Sequence, residues 1–250
     1  MTQARTAPAL RAFHKPVHEN SPLLLVFPHA GGGASSYREL SQQLSAQYEV
    51  RVMQYPGRQD RAREAAATSL TELAAEAFAS VAADDNLAGR PTVVFGHSMG
   101  AIVAFEFTRL LESAGGPPAR LVVSAATAPS QVADLPKHPD SDEELLAHLS
   151  GLQGTGGQVM SNDAVMRMAL PALRADYRAF DAYDCPTDAR VSVPIQVIGG
   201  ADDPVIAPFR LHSWTRHADD VDVRIVDGGH FYLNEHPETL VDLLLAGAAR

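Results

Sequence analysis

Thr92-Val-Val-Phe-Gly-His-Ser-Met-Gly-Ala-Ile-Val-Ala-Phe-Glu-Phe107 is the segment from which the rest of the chain is most easily placed. An apolar β-type run leads directly into Gly96-His97-Ser98-Met99-Gly100, and a helix-forming run follows at once. Strand, G-x-S-x-G pentapeptide and helix in direct succession describe the sharp turn that lifts a serine Oγ above the edge of a parallel sheet. The flanking glycines are required because so tight a turn leaves no room for a Cβ. The helix that opens behind Ser98 aims its free N–H groups and dipole at the reacting centre. Ser98 is therefore the candidate nucleophile.

On either side of this segment the element type alternates. β-type runs are expected at Leu23–Phe27, Val50–Gln54, Thr92–Gly96, Leu121–Ser124, Ile195–Ile198 and Val221–Val226, with helices at Ser36–Gln47, Ser69–Ala83, Met99–Ser113 and Pro237–Ala248. Runs apolar on both faces and joined by helical crossovers belong to a mostly parallel sheet with helices on both faces, a doubly wound α/β domain. No repeat at solenoid spacing is present. The 250 residues, 46% hydrophobic and 20% charged, suffice for one large core, so a single domain over 1–250 is expected and disorder is excluded.

The net charge of −10 argues against nucleic acid or an anionic membrane surface as the main partner. The N-terminus lacks the apolar h-region of a signal peptide, and the aliphatic runs are far shorter than the ~20 residues a membrane span needs. The single cysteine, Cys185, cannot close an internal disulfide and reads as a packing residue. A cytoplasmic protein is the expectation.

A serine nucleophile needs a base, and there are ten histidines. His14 and His18 precede the first expected strand, and His138, His148, His212 and His217 sit among polar residues, which makes solvated surface their default reading. His230 follows the Val221–Val226 run through Asp227-Gly228-Gly229, at the carboxyl edge where doubly wound sheets keep their ligands. The order Ser, acid, His then places the acid in Gly200-Ala-Asp-Asp-Pro204. Asp203, before Pro204 and the apolar Val205-Ile206, is preferred, with Asp202 as a solvated or turn-capping neighbour.

Acyl transfer places negative charge on a carbonyl oxygen. The backbone N–H of Met99, after the nucleophile, and that of Ala30, in Phe27-Pro-His-Ala-Gly-Gly-Gly33, are the expected oxyanion donors. The same loop lacks the G-x-G-x-x-G and Walker patterns of nucleotide sites. A metal held by His29, His97 and His230 is disfavoured because no H-E-x-x-H or convergent carboxylate accompanies them; no metal is expected.

About seventy residues separate Ser124 from Ile195, where a crossover needs a dozen or more. Residues 130–190 therefore form a helical insertion. Ser141-Asp-Glu-Glu144 is a capping box ahead of Leu145, Leu146 and Leu149, and Gly151–Gly157 breaks the chain. The apolar stripe Leu170, Leu173, Tyr177 and Phe180 has helical spacing, with Pro171 expected to kink that helix or start a new one. The insertion is either a self-packed subdomain or a lid. As a lid it would present Met168, Leu173 and Tyr177 to the substrate, with Met160 and Met166 adding an adaptable wall and the glycine stretch acting as a hinge.

Phe27-Pro-His-Ala-Gly-Gly32, Gln54-Tyr-Pro-Gly-Arg-Gln-Asp-Arg61, Gly96-His-Ser-Met-Gly100 with Ala104-Phe-Glu106, Gly200-Ala-Asp-Asp-Pro204 and Gly229-His-Phe231 together resemble the type II thioesterases that accompany polyketide synthases and nonribosomal peptide synthetases. The five motifs arrive in that family's order, from about Leu23 onward. The resemblance implies an α/β-hydrolase fold with a helical lid and a triad of Ser98, Asp203 and His230. It also implies hydrolytic editing of acyl groups on the phosphopantetheine arm of acyl or peptidyl carrier domains, an arm that belongs to the substrate, so the enzyme needs no cofactor. Thioesterase domains fused to synthase C-termini often take the acid from the strand after the nucleophile helix. Here that exit, Leu121-Val-Val-Ser-Ala-Ala-Thr-Ala-Pro-Ser130, has no carboxylate, and a stand-alone, monomeric enzyme is expected. An acyl-CoA hydrolase or carboxylesterase, or a catalytically silent binding protein on the same fold, are the alternatives. Carrier proteins of this kind are acidic, so docking on a net-negative enzyme needs a local basic patch, for which Arg58, Arg61 and Arg63 are candidates, Arg58 with a structural role as the other reading.

Overall fold

The computed structural model describes residues 8–152 and 163–246, with residues 163–168 described by backbone alone. Seven strands form one sheet: β1 (Leu10–Arg11), β2 (Leu23–Phe27), β3 (Glu49–Met53), β4 (Thr92–His97), β5 (Arg120–Ser124), β6 (Ile195–Gly200) and β7 (Val221–Val226). Their order is β1-β3-β2-β4-β5-β6-β7, and every pairing is parallel except β1 with β3.

Alternate residues of the central strands feed opposite faces, as the two-residue period of a strand demands. Leu23, Leu25, Phe27 and Val94 pack into one cluster with α2 (Leu70–Ala82) and α3 (Met99–Ser113). Leu24, Val26, Val93 and Phe95 pack into the other, against α1 (Arg38–Leu44) and, at the chain's end, Leu240 and Leu244. Both faces being covered explains why these runs are continuously apolar. The edge strand β7 departs from that rule: its Asp222, Arg224 and Ile225 are exposed, and Arg224 Nε bonds Asp222 Oδ2 at 2.9 Å. β1 was beyond sequence reading because two residues display no period.

Helix bounds shift where local hydrogen bonding takes over. The expected Ser36–Gln47 helix is a 3₁₀ turn at Ala34–Tyr37 followed by α1. The Ser141 capping box holds: Ser141 Oγ accepts the Glu144 N–H at 3.3 Å and donates to Glu144 Oε2 at 2.7 Å, at the head of α4 (Asp142–Leu152). α5 (Asp163–Asp181) runs through Pro171 without ending. After it come α6 (Pro208–Leu211), α7 (Tyr232–Glu235) and α8 (Pro237–Ala246).

The long segment between β5 and β6 has two parts. Ala179, Tyr183, Cys185, Val191 and Val193 join the main core, whereas Leu145, Leu170, Leu173 and Tyr177 form a separate small cluster between α4 and α5, with Ala30 packed against it. Met160 and most of the proposed glycine hinge lie outside the described residues, as do the side chains of Met166 and Met168; Gly151 itself belongs to α4. Among the described residues no helix is long and apolar enough to cross a membrane.

Candidate active site

The chain passes from β2 to β3 on one side of the sheet and from β3 across to β4 on the other, so the loops leaving β2 and β4 face each other at the switch point where α/β sheets bind ligands. Ser98 stands there with φ +55° and ψ −124°, a strained conformation for a residue with a side chain. The packing below it accounts for the glycines. A Cβ on Gly96 would lie 2.1 Å from Gly100 O, and one on Gly100 would lie 2.1 Å from Phe27 O, so backbone rests on backbone and fixes the serine relative to the β2 loop.

His230, on the loop after β7, reaches Ser98 Oγ from Nε2 at 3.0 Å and Asp203 Oδ2 from Nδ1 at 2.8 Å. A carboxylate only accepts, which assigns the Nδ1 proton to the bond with Asp203 and leaves Nε2 as the acceptor for the Ser98 hydroxyl. Asp203 is itself fixed: its Oδ1 accepts the N–H groups of Val205 and Ile206 at 2.8 and 2.9 Å. Asp203 is buried and its neighbour Asp202 exposed, so of the two only Asp203 touches the imidazole.

Two more histidines flank this base. Burial, with the charges of His230 and Arg58, lowers the pKa of His29 to about 4, and burial with His230 and His29 holds His97 well below the usual histidine range. Both rings are neutral near pH 7. His97 Nδ1 contacts Ser124 Oγ at 2.9 Å, and Ser124 Oγ contacts Tyr232 Oη at 2.7 Å. That second serine–histidine pair is fully buried and no carboxylate orients its imidazole. It braces the floor of the site.

Of the expected oxyanion donors, Met99 follows Ser98 directly and Ala30 lies on the β2 loop whose Phe27 and Pro28 carbonyls rest on Gly100; neither N–H has a protein acceptor among the described residues. Among these residues no group of three His, Cys, Asp or Glu side chains could hold a metal.

Leu173 lies against the β2 loop, since a Cβ on Gly31 would sit 3.1 Å from its Cδ1. Tyr177 stacks instead on His138, with ring centroids 3.8 Å apart. His138 and His217 are not solvated surface. His138 is held by Asp181 through Nδ1 at 2.7 Å, and His217 is fully buried, bonded to Ser130 Oγ at 2.9 Å and Ala189 O at 2.6 Å. Polar sequence neighbours did not reveal this because a turn can aim one of its residues inward.

The basic patch does not form as a surface. Arg61 is buried between Glu64 and Glu76 and donates to Gln54 O, and Arg58 is buried against Asp176 of α5; only Arg63 is exposed. The pairing of Arg58 with Asp176 escaped sequence reading because 118 residues separate the partners and neither position carries a periodic signal.

Residues 22–246 match the thioesterase domain family. The chain is 39% identical over 228 residues to a probable cadicidin biosynthesis thioesterase of Streptomyces griseus, an alignment covering 91% of this chain and 62% of that one. It is 42% identical over 225 residues to a phenyloxazoline synthase of Mycobacterium tuberculosis, covering 89% of this chain and 16% of that protein. The chain thus spans less than two thirds of the length of either. The structure of the type II thioesterase BorB from the borrelidin biosynthetic cluster superposes with a TM-score of 0.86 at 38% identity, covering 97% of this chain and 98% of that one. On sequence and fold together, the chain belongs to the thioesterase family of the α/β-hydrolase fold and, within it, to the type II thioesterases of polyketide and nonribosomal peptide pathways.

Proposed function

We propose that this protein hydrolyses acyl thioesters carried on the phosphopantetheine arm of acyl or peptidyl carrier domains, clearing stalled or misprimed chains, with Ser98 as nucleophile, His230 as general base and acid, and Asp203 as the group that holds the imidazole. The observation that carries this reading is the single histidine bonded at once to Ser98 at 3.0 Å and to Asp203 at 2.8 Å.

In the first half-reaction the Ser98 hydroxyl gives its proton to His230 Nε2 as Oγ attacks the thioester carbonyl. The carbonyl oxygen becomes an anion held by the N–H groups of Ala30 and Met99. Collapse breaks the carbon–sulfur bond, and the pantetheine sulfur leaves as a thiol with the proton from His230. Water then adds to the acyl-Ser98 ester while His230 takes its proton, and collapse returns that proton to Ser98 Oγ and releases the acid. Asp203 keeps Nδ1 protonated throughout and stabilises the imidazolium at each transfer. Each oxyanion donor lowers the barrier by on the order of 3–4 kcal/mol.

The chain acts as one α/β-hydrolase domain whose insertion, residues 130–190, forms a lid beside the β2 loop, with Leu173 packed against that loop as its wall to the site. A monomer acting in the cytoplasm, with no nucleic-acid partner, fits the composition. The test is a panel of acyl groups presented on a carrier domain and as free pantetheine or coenzyme A thioesters. Faster release from the carrier supports the reading. Equal rates on free thioesters favour an acyl-CoA hydrolase, hydrolysis of oxygen esters alone favours a carboxylesterase, and no turnover favours a binding protein.

A further inference from the structure

The β2 loop that carries Ala30 is clamped on both sides of that residue. Upstream, Tyr55 Oη donates to Pro28 O at 3.1 Å. Downstream, Asp176 Oδ2 accepts the Gly31 N–H at 2.7 Å, and Arg58 Nη1 donates to Gly32 O at 3.2 Å. Asp176 and Arg58 are themselves joined by two bonds, Nη1 to Oδ2 at 2.5 Å and Nη2 to Oδ1 at 2.6 Å, and both side chains are more than nine-tenths buried. Gly31 has φ +72°, in the left-handed region, with Leu173 packed over its α-carbon, so the peptide after Ala30 is held in an unusual orientation by groups that all come from elsewhere in the chain.

We propose that Asp176 is a positioning residue for the oxyanion hole. Its carboxylate, aimed by Arg58, fixes the Gly31 N–H and thereby the direction of the neighbouring Ala30 N–H. The insertion is then more than a cover for the acyl chain, because helix α5 supplies the acceptor that holds one of the two donors in place. This inference rests on the oxyanion role proposed above for Ala30. An ion pair whose only task was stability would not need to accept a loop N–H beside the reacting centre, and a buried pair is a poor source of net stability in any case.

Two variants separate positioning from stability. Arg58→Met/Asp176→Leu replaces the buried pair with apolar side chains of similar size, an exchange that is often neutral or stabilising, but leaves the Gly31 N–H without its acceptor. Asp176→Asn strands the Arg58 charge but keeps an oxygen for Gly31. The expected pattern is crossed. The double variant melts near the wild-type temperature yet loses about 10- to 100-fold in kcat on a short acyl thioester, short of the roughly 10²–10³-fold that follows complete loss of an oxyanion donor. Its KM and the acid limb of its pH–rate profile stay unchanged. Asp176→Asn melts lower but keeps kcat within about fivefold, the scale of a preserved hydrogen bond. If kcat instead follows melting temperature in both variants, or if the double variant keeps full kcat, the positioning role is overturned. Ala30→Pro deletes the N–H outright and tests the underlying reading. Unchanged kcat there removes Ala30 from the oxyanion hole, whereas a loss there beside full activity in the double variant defeats only the role of Asp176.

Discussion

Ser98, Asp203 and His230 follow the carboxyl ends of the parallel strands β4, β6 and β7, whereas Leu173, Asp176 and Tyr177 stand on helix α5, whose own cluster is separate from the main core. The first region is fixed by backbone on backbone: Gly96 against Gly100, Gly100 against Phe27 O, and Gly200, where a Cβ would lie 2.3 Å from Gly229 O. The second is fixed by side chains, namely four apolar residues, a stacked His138–Tyr177 pair and one buried ion pair. Close-packed backbone admits almost no substitution, while a small side-chain cluster can be repacked. In the function proposed above, the chemistry is assigned to the close-packed side and acyl-chain selectivity to the repackable one.

The contrast is sharpest at the acid. Asp203→Asn should lower kcat by about 10⁴-fold by stabilising the wrong imidazole tautomer, while the exposed Asp202→Asn should leave turnover within about twofold of wild type, as surface changes usually do. Steady-state rates of both on one thioester decide it; comparable losses would mean the acid loop as a whole, not one carboxylate, supports His230.

A second comparison sets two neighbouring arginines apart. Arg61→Glu places a third acidic group among Glu64 and Glu76 in a buried site and should cost roughly 3–5 kcal/mol, read by chemical unfolding. Arg63→Glu should cost under about 0.5 kcal/mol. If Arg63→Glu raises KM for acyl-carrier but not for a small thioester, Arg63 alone retains the docking role that the buried Arg58 and Arg61 cannot have.

Leu173→Ala probes the repackable region. It should remove about 2–3 kcal/mol of local packing and alter the ranking of acyl chain lengths while Ser98 stays reactive to a small fluorophosphonate. A uniform loss on every chain length would make the insertion a self-packed subdomain rather than a lid.

The two regions differed in the same way in what sequence could show. The meeting of Ser98, His230 and Asp203 was legible because each lies shortly after a strand, and strand order fixes where such loops meet. The choice of Asp203 over Asp202 was legible from the Pro204-Val205-Ile206 run that follows it, whose Val205 and Ile206 N–H groups hold the Asp203 carboxylate. The insertion was legible only as helices: the Ser141 capping box and the 170–173–177 stripe located them, but nothing showed that Tyr177 faces His138 or that Asp176 reaches Arg58. Those contacts join residues far apart in the chain whose types have ordinary surface readings. The same holds for Arg61 and His217, polar residues buried by partners no local pattern announces.

A further effect concerns pH. A histidine whose folded pKa is depressed binds its proton more weakly in the native state than in the unfolded chain, so stability is full above the unfolded value and falls as pH drops. For His29 that window runs from about 6.5 down to about 4, and His97, whose pKa is also held low, adds to the same decline from about 6.5 downward. Unfolding free energy should be flat from pH 7 to 8 and decline progressively below about 6.5, less steeply in His29→Gln. An identical slope in wild type and variant would show that His29 does not drive the decline.

The central claim, that acyl groups pass through Ser98, is tested most directly by trapping the intermediate. The protein is mixed with an acyl-carrier thioester, quenched in acid within the first turnovers, and digested for peptide mass spectrometry. One acyl adduct is expected, on the peptide containing Ser98, and both the adduct and hydrolysis should be absent in Ser98→Ala. An adduct on Ser124 or any other residue, or hydrolysis that survives Ser98→Ala, would contradict it.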